Sequence, residues 1–474
     1  MRFLLFFCLV TTSVTAQNML GVASSPYGGT QSMYLNPAFA ADSKYGFYLN
    51  LVSGNAHLNN DYFRYQAPYS LTSLILNRVP GQYKLADGTV LFRPEYLGET
   101  SNGKPKSATA WTDFRGPSLL LRLGEGGAIG LTTRLRAAAQ VNNASESLLS
   151  VVRAGLEDAR FYNIPSRDNQ FSVNTNTYAE VGLTLAVTLL QDDYQQLSLG
   201  ATVKRLQGIT AGFLKNNGLS YRILSDTAQQ DTYYLQVDQL NADLGYTTYL
   251  QDKGRSVSVR QFFDGNNPGR GWGADIGLSY QLKSDDPDHY ALRLGVALTD
   301  LGTIRYRRSS YVRHYAIQTT NQRFTSTDFN EARGSEGIAK VLENRLDLTE
   351  ANNTGQFDSG LPTALSVNAD VHLGSGFYLT GTLLQDVRGK EAVAIRQPSL
   401  ISVGPRLETS AVGVAVPLTF INNSFVAGVS LRVGPVFLGT DNLFGMIGSN
   451  SNKLRPRGAD IYAGLALASL RRKP

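Results

Sequence analysis

The sequence has little cysteine, little charge and no long apolar run, and each shortage excludes or disfavours a class of protein. Cys8 is the only cysteine among 474 residues, so the chain beyond it has neither a disulfide nor a cysteine-based metal site. Beyond the N-terminus no stretch approaches the run of about 18 apolar residues that a transmembrane helix needs. Charged residues make up 17% of the chain, whereas soluble domains contain about 25%. A helical membrane protein is excluded, and an ordinary soluble protein is disfavoured.

Histidine is also scarce, which restricts acid–base catalysis. The four histidines are His57, His289, His314 and His372. His372 and Asp370 share one face of a predicted strand and are the best acid–base pair available. A hydrogen bond inside a barrel explains that pair equally well. No His-x-x-x-His, Gly-x-Ser-x-Gly or phosphate-binding Gly-Lys-Ser/Thr motif occurs. We therefore predict no enzyme activity, no catalytic residue, no metal and no cofactor.

Residues 1–16 are predicted to be a signal peptide. Arg2 gives a basic start, residues 3–10 are almost wholly apolar, and Val14-Thr15-Ala16 offers the small-residue site that a signal peptidase needs. The apolar run is too short to span a bilayer as a helix. We expect an exported protein whose mature chain begins at Gln17.

What the sequence has in abundance is alternation between apolar and small or polar residues. From Ala179 to Leu189 every odd position is apolar, and the even positions carry Glu, Gly, Thr and Ala. From Trp272 to Leu282 the even positions are apolar, and the odd positions carry Gly, Asp, Ser and Gln. A period of two is typical of a β-strand with two unlike faces. The runs are about 9–12 residues long, which suits a tilted strand that crosses a membrane.

The apolar face of such a strand meets either lipid or the interior of a soluble sandwich, and the opposite face decides between them. That face is rich in Gly, Ser, Thr, Asn and Ala, whereas a water-exposed sheet would carry more Lys and Glu. It also holds nearly all the ionisable residues of the runs, as expected if a charge facing lipid costs about 2–4 kcal/mol. Arg205 is the exception, and it stands at a strand end from which it can reach the headgroups.

We therefore predict an all-β fold, a single transmembrane antiparallel up-and-down β-barrel of about 14 strands in the outer membrane, formed by residues 44–474. Long excursions near 138–177 and 300–362 are predicted to be extracellular loops. The ionisable residues of the inward face are predicted to line the lumen. They are Arg134, Arg136, Glu180, Asp275, Arg293, Asp370, His372, Arg432 and Asp460.

Arginine is concentrated in and before the second of these loops. The residues are Arg305, Arg307, Arg308, Arg313 and Arg323. Guanidinium groups pair bidentately with phosphate, so the cluster is suited to lipopolysaccharide or another anionic ligand. A solvated loop beside an anionic leaflet accounts for it equally well, and both interpretations stand at this point.

Several stretches resemble a Bacteroidota outer-membrane barrel family of unknown function. That family is related in pattern to the long-chain fatty-acid transporter type and to barrels of the type IX secretion system. The stretches are GGTQSMYLNPAFAADS at 28–43, GRGWGADIGLSY at 269–280, ALTDLGTIRY at 297–306 and GADIYAGLAL at 458–467. Asn36, Pro37 and Ala38 are predicted to form a turn, because proline fixes its own φ and moves the preceding residue out of the helical region. The resemblance implies that residues 17–43 fold into the lumen as a hatch, with this turn making the bend into the first strand. The alternative is a periplasmic tail that contains a turn.

Two functions follow as hypotheses. One is passive uptake of a small or hydrophobic solute through a gated lumen. The other is a non-conducting scaffold that docks secreted or surface proteins through its loops. A hydrolase at His372 is the least favoured reading. We expect a monomer that contacts outer-membrane lipid and lipopolysaccharide, with a small-molecule ligand or a secreted protein as partner. Nucleic acid is not expected, since no basic run is interleaved with aromatics.

Overall fold

The computed structural model describes residues 19–225, 233–250, 265–286, 289–307, 310–329, 334–389 and 392–470. The predicted signal peptide at residues 1–16 lies outside the described residues, as do Gln17 and Arg308. No helix in these ranges is both long enough and apolar enough to cross a bilayer.

Most of the described chain forms β-strands. The strand segments are β1 (Tyr45–Asn60), β2 (Phe63–Tyr65), β3 (Leu97–Glu99), β4 (Lys106–Arg115), β5 (Ser118–Arg122), β6 (Gly127–Ala144), β7 (Ser166–Gln191), β8 (Gln195–Ser225), β9 (Tyr233–Thr247), β10 (Gly269–Lys283), β11 (Tyr290–Tyr306), β12 (Val312–Thr325), β13 (Phe357–Gly360), β14 (Ala364–Gly374), β15 (Phe377–Asp386), β16 (Leu400–Glu408), β17 (Val412–Ala415), β18 (Leu418–Ile421), β19 (Ser424–Ala427), β20 (Val429–Val433), β21 (Val436–Thr440) and β22 (Gly458–Leu470). β2 and β3 form a small separate sheet, and the other segments form one 20-stranded sheet.

The large sheet closes into a barrel whose wall has 14 strands. β4 continues as β5, β13 as β14, β17 as β18 and β19 as β20. Pro117, Pro362 and Pro417 stand at three of these breaks, because a residue without an N–H cannot complete the ladder. The last strand, β22, pairs antiparallel with β1, so the wall has no free edge. The prediction of one antiparallel barrel of about 14 strands is confirmed.

The two ends of the barrel differ in their connections. Tight turns join β5 to β6, β7 to β8, β14 to β15, β16 to β17 and β20 to β21 at the end where β1 starts. The opposite end, called here the loop end, carries the long connections and one two-residue turn at Asn422-Asn423. The connections at 138–177 and 300–362 are shorter than predicted, because wall strands occupy the ends of both ranges. β6 runs to Ala144 and β7 begins at Ser166, whereas β11 runs to Tyr306 and β13 begins at Phe357.

Helices are short and lie in the N-terminal segment or in the connections. They are α1 (Leu20–Ala23), α2 (Thr30–Met33), α3 (Leu71–Ile75), α4 (Glu146–Ala154), α5 (Gly334–Arg345) and α6 (Leu443–Ile447), with 3-10 turns at Pro37–Ala40, Gly81–Tyr83, Pro94–Tyr96, Gly155–Glu157, Ala159–Phe161, Ser326–Phe329 and Glu350–Asn352.

A β-sheet extension rises from the loop end above the wall. β7 and β8 have 26 and 31 residues, more than a bilayer crossing needs. The far half of β8 pairs with β9, and β9 pairs with β12. Residues 210–222 are the upper part of β8. Tyr246, Tyr315 and Ile317 pack together with Ala339 of α5 to form the core of this extension.

Alternation along the wall separates an exposed apolar face from a buried one. On β7 the residues Leu183 and Leu185 are 55% and 54% exposed, whereas Thr184 and Ala186 are fully buried. Every wall strand carries such exposed apolar residues, for example Phe47, Phe114, Ile129, Leu185, Val203, Leu278, Leu294, Val367, Leu379, Ile401, Leu418, Leu431, Leu438 and Leu465. A continuous exposed apolar band of this kind is the lipid-contacting surface of an outer-membrane barrel.

This band allows a direct stability prediction. Leu185→Arg places a cation on the lipid face, and we expect it to lower the free energy of unfolding in lipid vesicles by about 2–4 kcal/mol. Leu76→Arg is the matched control, since Leu76 is 53% exposed but lies just after α3 in a loop. We expect a change within about 0.5 kcal/mol there. Urea titration with a heat-modifiability gel measures both. Equal effects of the two variants would contradict lipid contact at Leu185.

Candidate functional site

The N-terminal segment Met19–Ser43 lies among the inward side chains of the barrel. It consists of α1, α2 and one 3-10 turn, and all its residues are buried or partly buried. Gln31 donates a hydrogen bond from Nε2 to the Ser53 Oγ of β1, at 3.0 Å. Leu20 donates its backbone N–H to an Asp441 carboxylate oxygen at 3.1 Å, just after β21. The segment is therefore in contact with the wall at its start and near its middle.

Apolar side chains of the segment pack with wall residues in two separate clusters. Leu20, Ala23, Leu35 and Phe39 pack together with Leu384, Leu400, Ile421 and Val426. A second cluster joins Met33, Ala40 and Ala41 to Tyr45, Tyr48, Leu120, Ala128, Ala186 and Ala466. Burial of these groups is what stabilises the segment in its position.

The Asn36-Pro37-Ala38 turn fixes the middle of this segment to β10 and β11. The Asn36 Oδ1 accepts a hydrogen bond from the Ala38 N–H at 2.9 Å and caps the 3-10 turn. Its Nδ2 donates to the carbonyl oxygens of Leu278, at 2.9 Å, and Val296, at 3.4 Å. One asparagine thus orders the turn and anchors it to two neighbouring strands.

Three inward glycines receive that turn, and we call them the glycine seat: Gly200 of β8, Gly277 of β10 and Gly295 of β11. A Cβ on Gly200 would stand 2.2 Å from the backbone nitrogen of Ala38. A Cβ on Gly277 would stand 2.2 Å from the Asn36 Oδ1, and one on Gly295 would stand 2.7 Å from the Phe39 ring. Only residues without a side chain allow the segment to approach the wall this closely.

A network of buried ion pairs lies next to the segment, and we call it the central network. Its members are Asp113, Arg115, Arg134, Arg136, Glu180, Lys204, Asp275 and Asp300, four cations and four anions. Arg136 lies 3.1 Å from Asp113 and 2.7 Å from Asp300. Lys204 lies 2.6 Å from Asp300 as well. Equal numbers of opposite charges are the condition under which so many buried ions are tolerated.

The central network rests on the N-terminal segment. The Arg115 and Arg134 guanidinium groups stand 4.2 Å and 4.9 Å from the centre of the Tyr34 ring, in cation–π geometry. Arg115 also donates a hydrogen bond to the Gln31 side chain. The cavity between Tyr34 and the network has a volume of about 10 Å³, no more than one water molecule needs.

A second network of buried ion pairs also lies next to the N-terminal segment. Its members are Arg293, Asp370, Arg406, Glu408 and Arg432. Arg406 bridges the two anions, at 2.6 Å from Asp370 and 2.8 Å from Glu408. Ser25 of the segment donates a hydrogen bond to Glu408. This network therefore also includes the segment among its partners.

Two carboxylates meet the start of the segment. Asp460 accepts the backbone N–H of Asp441 at 2.6 Å, and the His57 Nδ1 stands 3.7 Å from Asp460. Asp441 in turn accepts hydrogen bonds from the Tyr462 hydroxyl and from the Leu20 backbone, each at 3.1 Å. The acidic pair thus satisfies the first backbone N–H of α1.

At the other end of the segment, Asp42 marks the junction with β1. Ser279 and Gln196 donate hydrogen bonds to its carboxylate, the latter at 3.2 Å. Burial raises the pKa of the Asp42 carboxyl, and the charge of Arg293 offsets part of that effect. The junction is therefore held by neutral donors on β8 and β10.

The residues predicted to line the lumen are placed as follows. Eight of them are buried and belong to the two networks or to the acidic pair: Arg134, Arg136, Glu180, Asp275, Arg293, Asp370, Arg432 and Asp460.

His372, the ninth, is only partly buried. It stacks on His289, with ring centres 4.5 Å apart. Asp370 hydrogen-bonds with Arg406 and Tyr290 instead, so the acid–base pair proposed from the sequence does not form.

Sequence reasoning missed several members of the two networks and of the acidic pair, as well as the glycine seat. The missed residues are Asp113, Arg115, Asp300, Arg406, Glu408 and Asp441. Asp113 and Arg115 stand on either side of the apolar Phe114, and this short alternation was a usable signal. Asp300 could not be found in this way. It has a φ of 53° and lies where the register of β10 and β11 shifts, so strict alternation places its side chain on the lipid face although it is buried.

Solved structures with a similar fold include outer-membrane channels. The P. putida toluene transporter TodX is 10% identical over 98% of this chain and 99% of its own, with a TM-score of 0.39. A TodX deltaS2S3 mutant, described as a monoaromatic hydrocarbon channel, is 11% identical over 96% of this chain and 97% of its own, with a TM-score of 0.40. A Pseudomonas aeruginosa FadL homologue is 10% identical over 96% and 97% of the two chains, with a TM-score of 0.30.

The sequence itself matches no curated protein. Residues 37–441, which run from the Asn-Pro-Ala turn to the end of β21, match a family described as "Family of unknown function (DUF5723)". The match includes Pro37 and Ala38 of the turn, the glycine seat and every member of both networks. This chain, an outer-membrane β-barrel, therefore belongs to the DUF5723 family.

Proposed function

We propose that the protein is an outer-membrane channel that the N-terminal segment holds closed. The glycine seat is the observation that supports this best, because a wall that merely enclosed a stray tail would not need glycines opposite Asn36, Ala38 and Phe39 on three adjacent strands. The segment is tied to the wall by individual hydrogen bonds and small apolar contacts, and its displacement would leave a path along the inward face.

The inward face favours a small polar solute over the hydrophobic one that the sequence left open. Buried residues of the wall include many Ser, Thr, Asn and charged groups beside the apolar ones, and the polar groups that the segment covers would be exposed to the solute path once it moves. A hydrocarbon-like solute would have to displace water from those groups without replacing its hydrogen bonds, which is unfavourable.

We further infer the orientation and the oligomeric state. Short turns of outer-membrane barrels face the periplasm and long loops face the exterior, so the loop end is extracellular. The closed wall leaves no strand edge to pair with another chain, which favours a monomer.

The second candidate is a non-conducting scaffold for a secreted or surface protein. Two observations favour it: the cavity between Tyr34 and the central network has a volume of only about 10 Å³, and the β8–β9–β12 extension offers a surface beyond the membrane. Charge-balanced ion pairs could keep the lumen shut after the segment leaves.

A reversible tether between segment and wall separates the two functions. A Cβ on Gly277 would lie 2.9 Å from the Asn36 Cγ, hence within about 4.4 Å of the Asn36 Cβ, and a disulfide needs about 3.5–4.5 Å. Cys8 falls in the predicted signal peptide, so Asn36→Cys with Gly277→Cys introduces the only thiols of the mature chain. We expect no flux of a small sugar into liposomes when the pair is oxidised, and measurable flux after reduction.

The single variant Asn36→Cys is the control, and its flux should not depend on the oxidant. Equal flux before and after reduction of the pair would show that the segment is not the gate. Absence of flux in both states would favour the scaffold.

A further inference from the structure

A group of arginines lies on the outer surface of the barrel, away from the lumen. Arg205 of β8, Arg270 of β10 and Arg305 of β11 point outward on three neighbouring strands, and we call them the outer arginine patch. Trp272, which is 62% exposed, lies beside them, and the Arg205 guanidinium stands 5.1 Å from the centre of its ring. Arg270 and Arg305 are exposed, whereas Arg205 is partly buried and donates a hydrogen bond to the carbonyl oxygen of Gly271 at 3.3 Å.

The patch lies at the edge of the apolar band on the loop end. On β10 the outward apolar residues run from Leu282 to Trp272. These two residues are ten steps apart, which corresponds to about 33 Å of strand at about 3.3 Å per step. A tilt of about 40° reduces this to a height of about 25 Å, the thickness of the apolar band in such barrels. Aromatic residues mark the membrane interface, so Trp272 is at headgroup level and Arg270 is one step beyond it.

Like charges face each other directly within the patch. Arg270 and Arg305 are partners in the register of β10 and β11, and Arg205 is diagonal to Arg270 because it pairs with Trp272. Like charges directly opposite on a sheet destabilise it. An anion placed between them would remove that repulsion and gain charge-assisted hydrogen bonds.

The nearby groups of the chain leave much of this charge unpaired. Asp358 lies opposite Arg305 in register, but its carboxylate pairs with Arg307 at 3.1 Å. Arg270 donates to the carbonyl oxygen of Gly265 at 2.6 Å. Within the described residues Arg305 has no hydrogen bond, ion pair or ring contact, and its side chain is exposed.

Two open pockets meet at these arginines. One has a volume of about 460 Å³ and is lined by Arg205, Arg270, Gly271, Trp272, Thr303 and Arg305. The other has a volume of about 510 Å³ and is lined by Asn267, Pro268, Arg270, Arg305 and Arg307. Together they provide space for a bulky headgroup, with apolar wall directly below for its acyl chains.

We propose that the outer arginine patch binds the phosphorylated headgroup of lipopolysaccharide, with a lipid A phosphate between Arg270 and Arg305 and an acyl chain beside Trp272. The site is on the lipid side of the wall, so it is independent of whether the lumen conducts. Of the arginines singled out in the sequence, Arg305 belongs to it and Arg307 borders it, whereas Arg313 and Arg323 lie on β12 in the extension.

The test is lipid retention by the purified, folded barrel in detergent, measured by native mass spectrometry. We expect diphosphoryl lipid A to bind the wild type. Arg270→Gln with Arg305→Gln should weaken this binding at least about tenfold, because the charge-assisted hydrogen bonds to the phosphate are lost. Arg78→Gln with Arg93→Gln is the matched control, because it removes two exposed arginines from loop-end connections and should leave binding unchanged. A heat-modifiability gel verifies that each variant is folded.

Two further probes identify the source of the phosphate. Fully dephosphorylated lipid A should bind at least about tenfold more weakly than the diphosphoryl form, and inorganic phosphate at the same concentration should not displace the latter. Equal binding of diphosphoryl lipid A by the folded double variant and the wild type would overturn the proposal. So would equal binding of the dephosphorylated lipid, or displacement by inorganic phosphate alone.

Discussion

Replacement of Gly200 by valine is expected to unseat the N-terminal segment and open the lumen. A Cβ at this position would lie 2.2 Å from the Ala38 nitrogen and 2.3 Å from the Pro37 carbonyl carbon. Both are backbone atoms, so no side-chain rotation relieves the clash. Overpacking of this kind costs typically about 1–3 kcal/mol, and a shift of that size changes the population of an open state about 5–150-fold. Liposome swelling with a small sugar measures the increase in flux.

The control for this variant is Gly381→Val on β15. A Cβ there would meet its nearest neighbour at 3.9 Å, an ordinary contact, and Gly381 lies on the outward face. Its flux should equal that of the wild type. Limited proteolysis reports separately whether residues 19–43 leave the barrel. A Gly200→Val barrel whose segment is accessible to protease but whose flux stays at zero would assign the closure to the central network, and would support the scaffold.

The fold could be predicted from the sequence because every wall strand must place apolar side chains toward lipid and polar ones inward. Leu183 and Leu185 face lipid and Glu180 does not, and this distinction is local and written in the period of two. Asn36-Pro37-Ala38 was recognisable as a turn for an equally local reason, the fixed φ of proline. Both features are properties of a few consecutive residues, so no knowledge of distant contacts was needed.

The pairing inside the barrel did not follow, because it joins residues far apart in sequence. Alternation places Arg136 inward, but nothing near it in the sequence indicates Asp300 as its partner at 2.7 Å. Asp300 itself sits at a β-bulge, and the extra residue turns its side chain inward against the parity of Val296 and Leu298. His372 and Asp370 show the opposite error, since a shared strand face did not make them partners. Local periodicity assigns a face, and three-dimensional packing assigns the partner.

Loss of a buried partner in the central network is expected to have the largest effect on stability, and Asp113→Ala tests it. Asp113→Ala removes the one anion that pairs with Arg115, Arg134 and Arg136 together. The remaining central network has four cations and three anions, all buried, and loss of one partner from a buried ionic group typically costs about 3–5 kcal/mol. We expect the free energy of unfolding in lipid vesicles to fall by that amount, as measured by urea titration with a folded-band gel assay.

Asp238→Asn is the matched control for Asp113→Ala, because Asp238 also pairs with an arginine, Arg222 at 3.0 Å, but both side chains are exposed. Ion pairs of that kind contribute at most about 1 kcal/mol, so the control should change stability little. If Asp113→Ala were no more harmful than Asp238→Asn, the interior would have to be hydrated enough to screen its charges. The central network could then not close the lumen, and the channel would depend on the N-terminal segment alone.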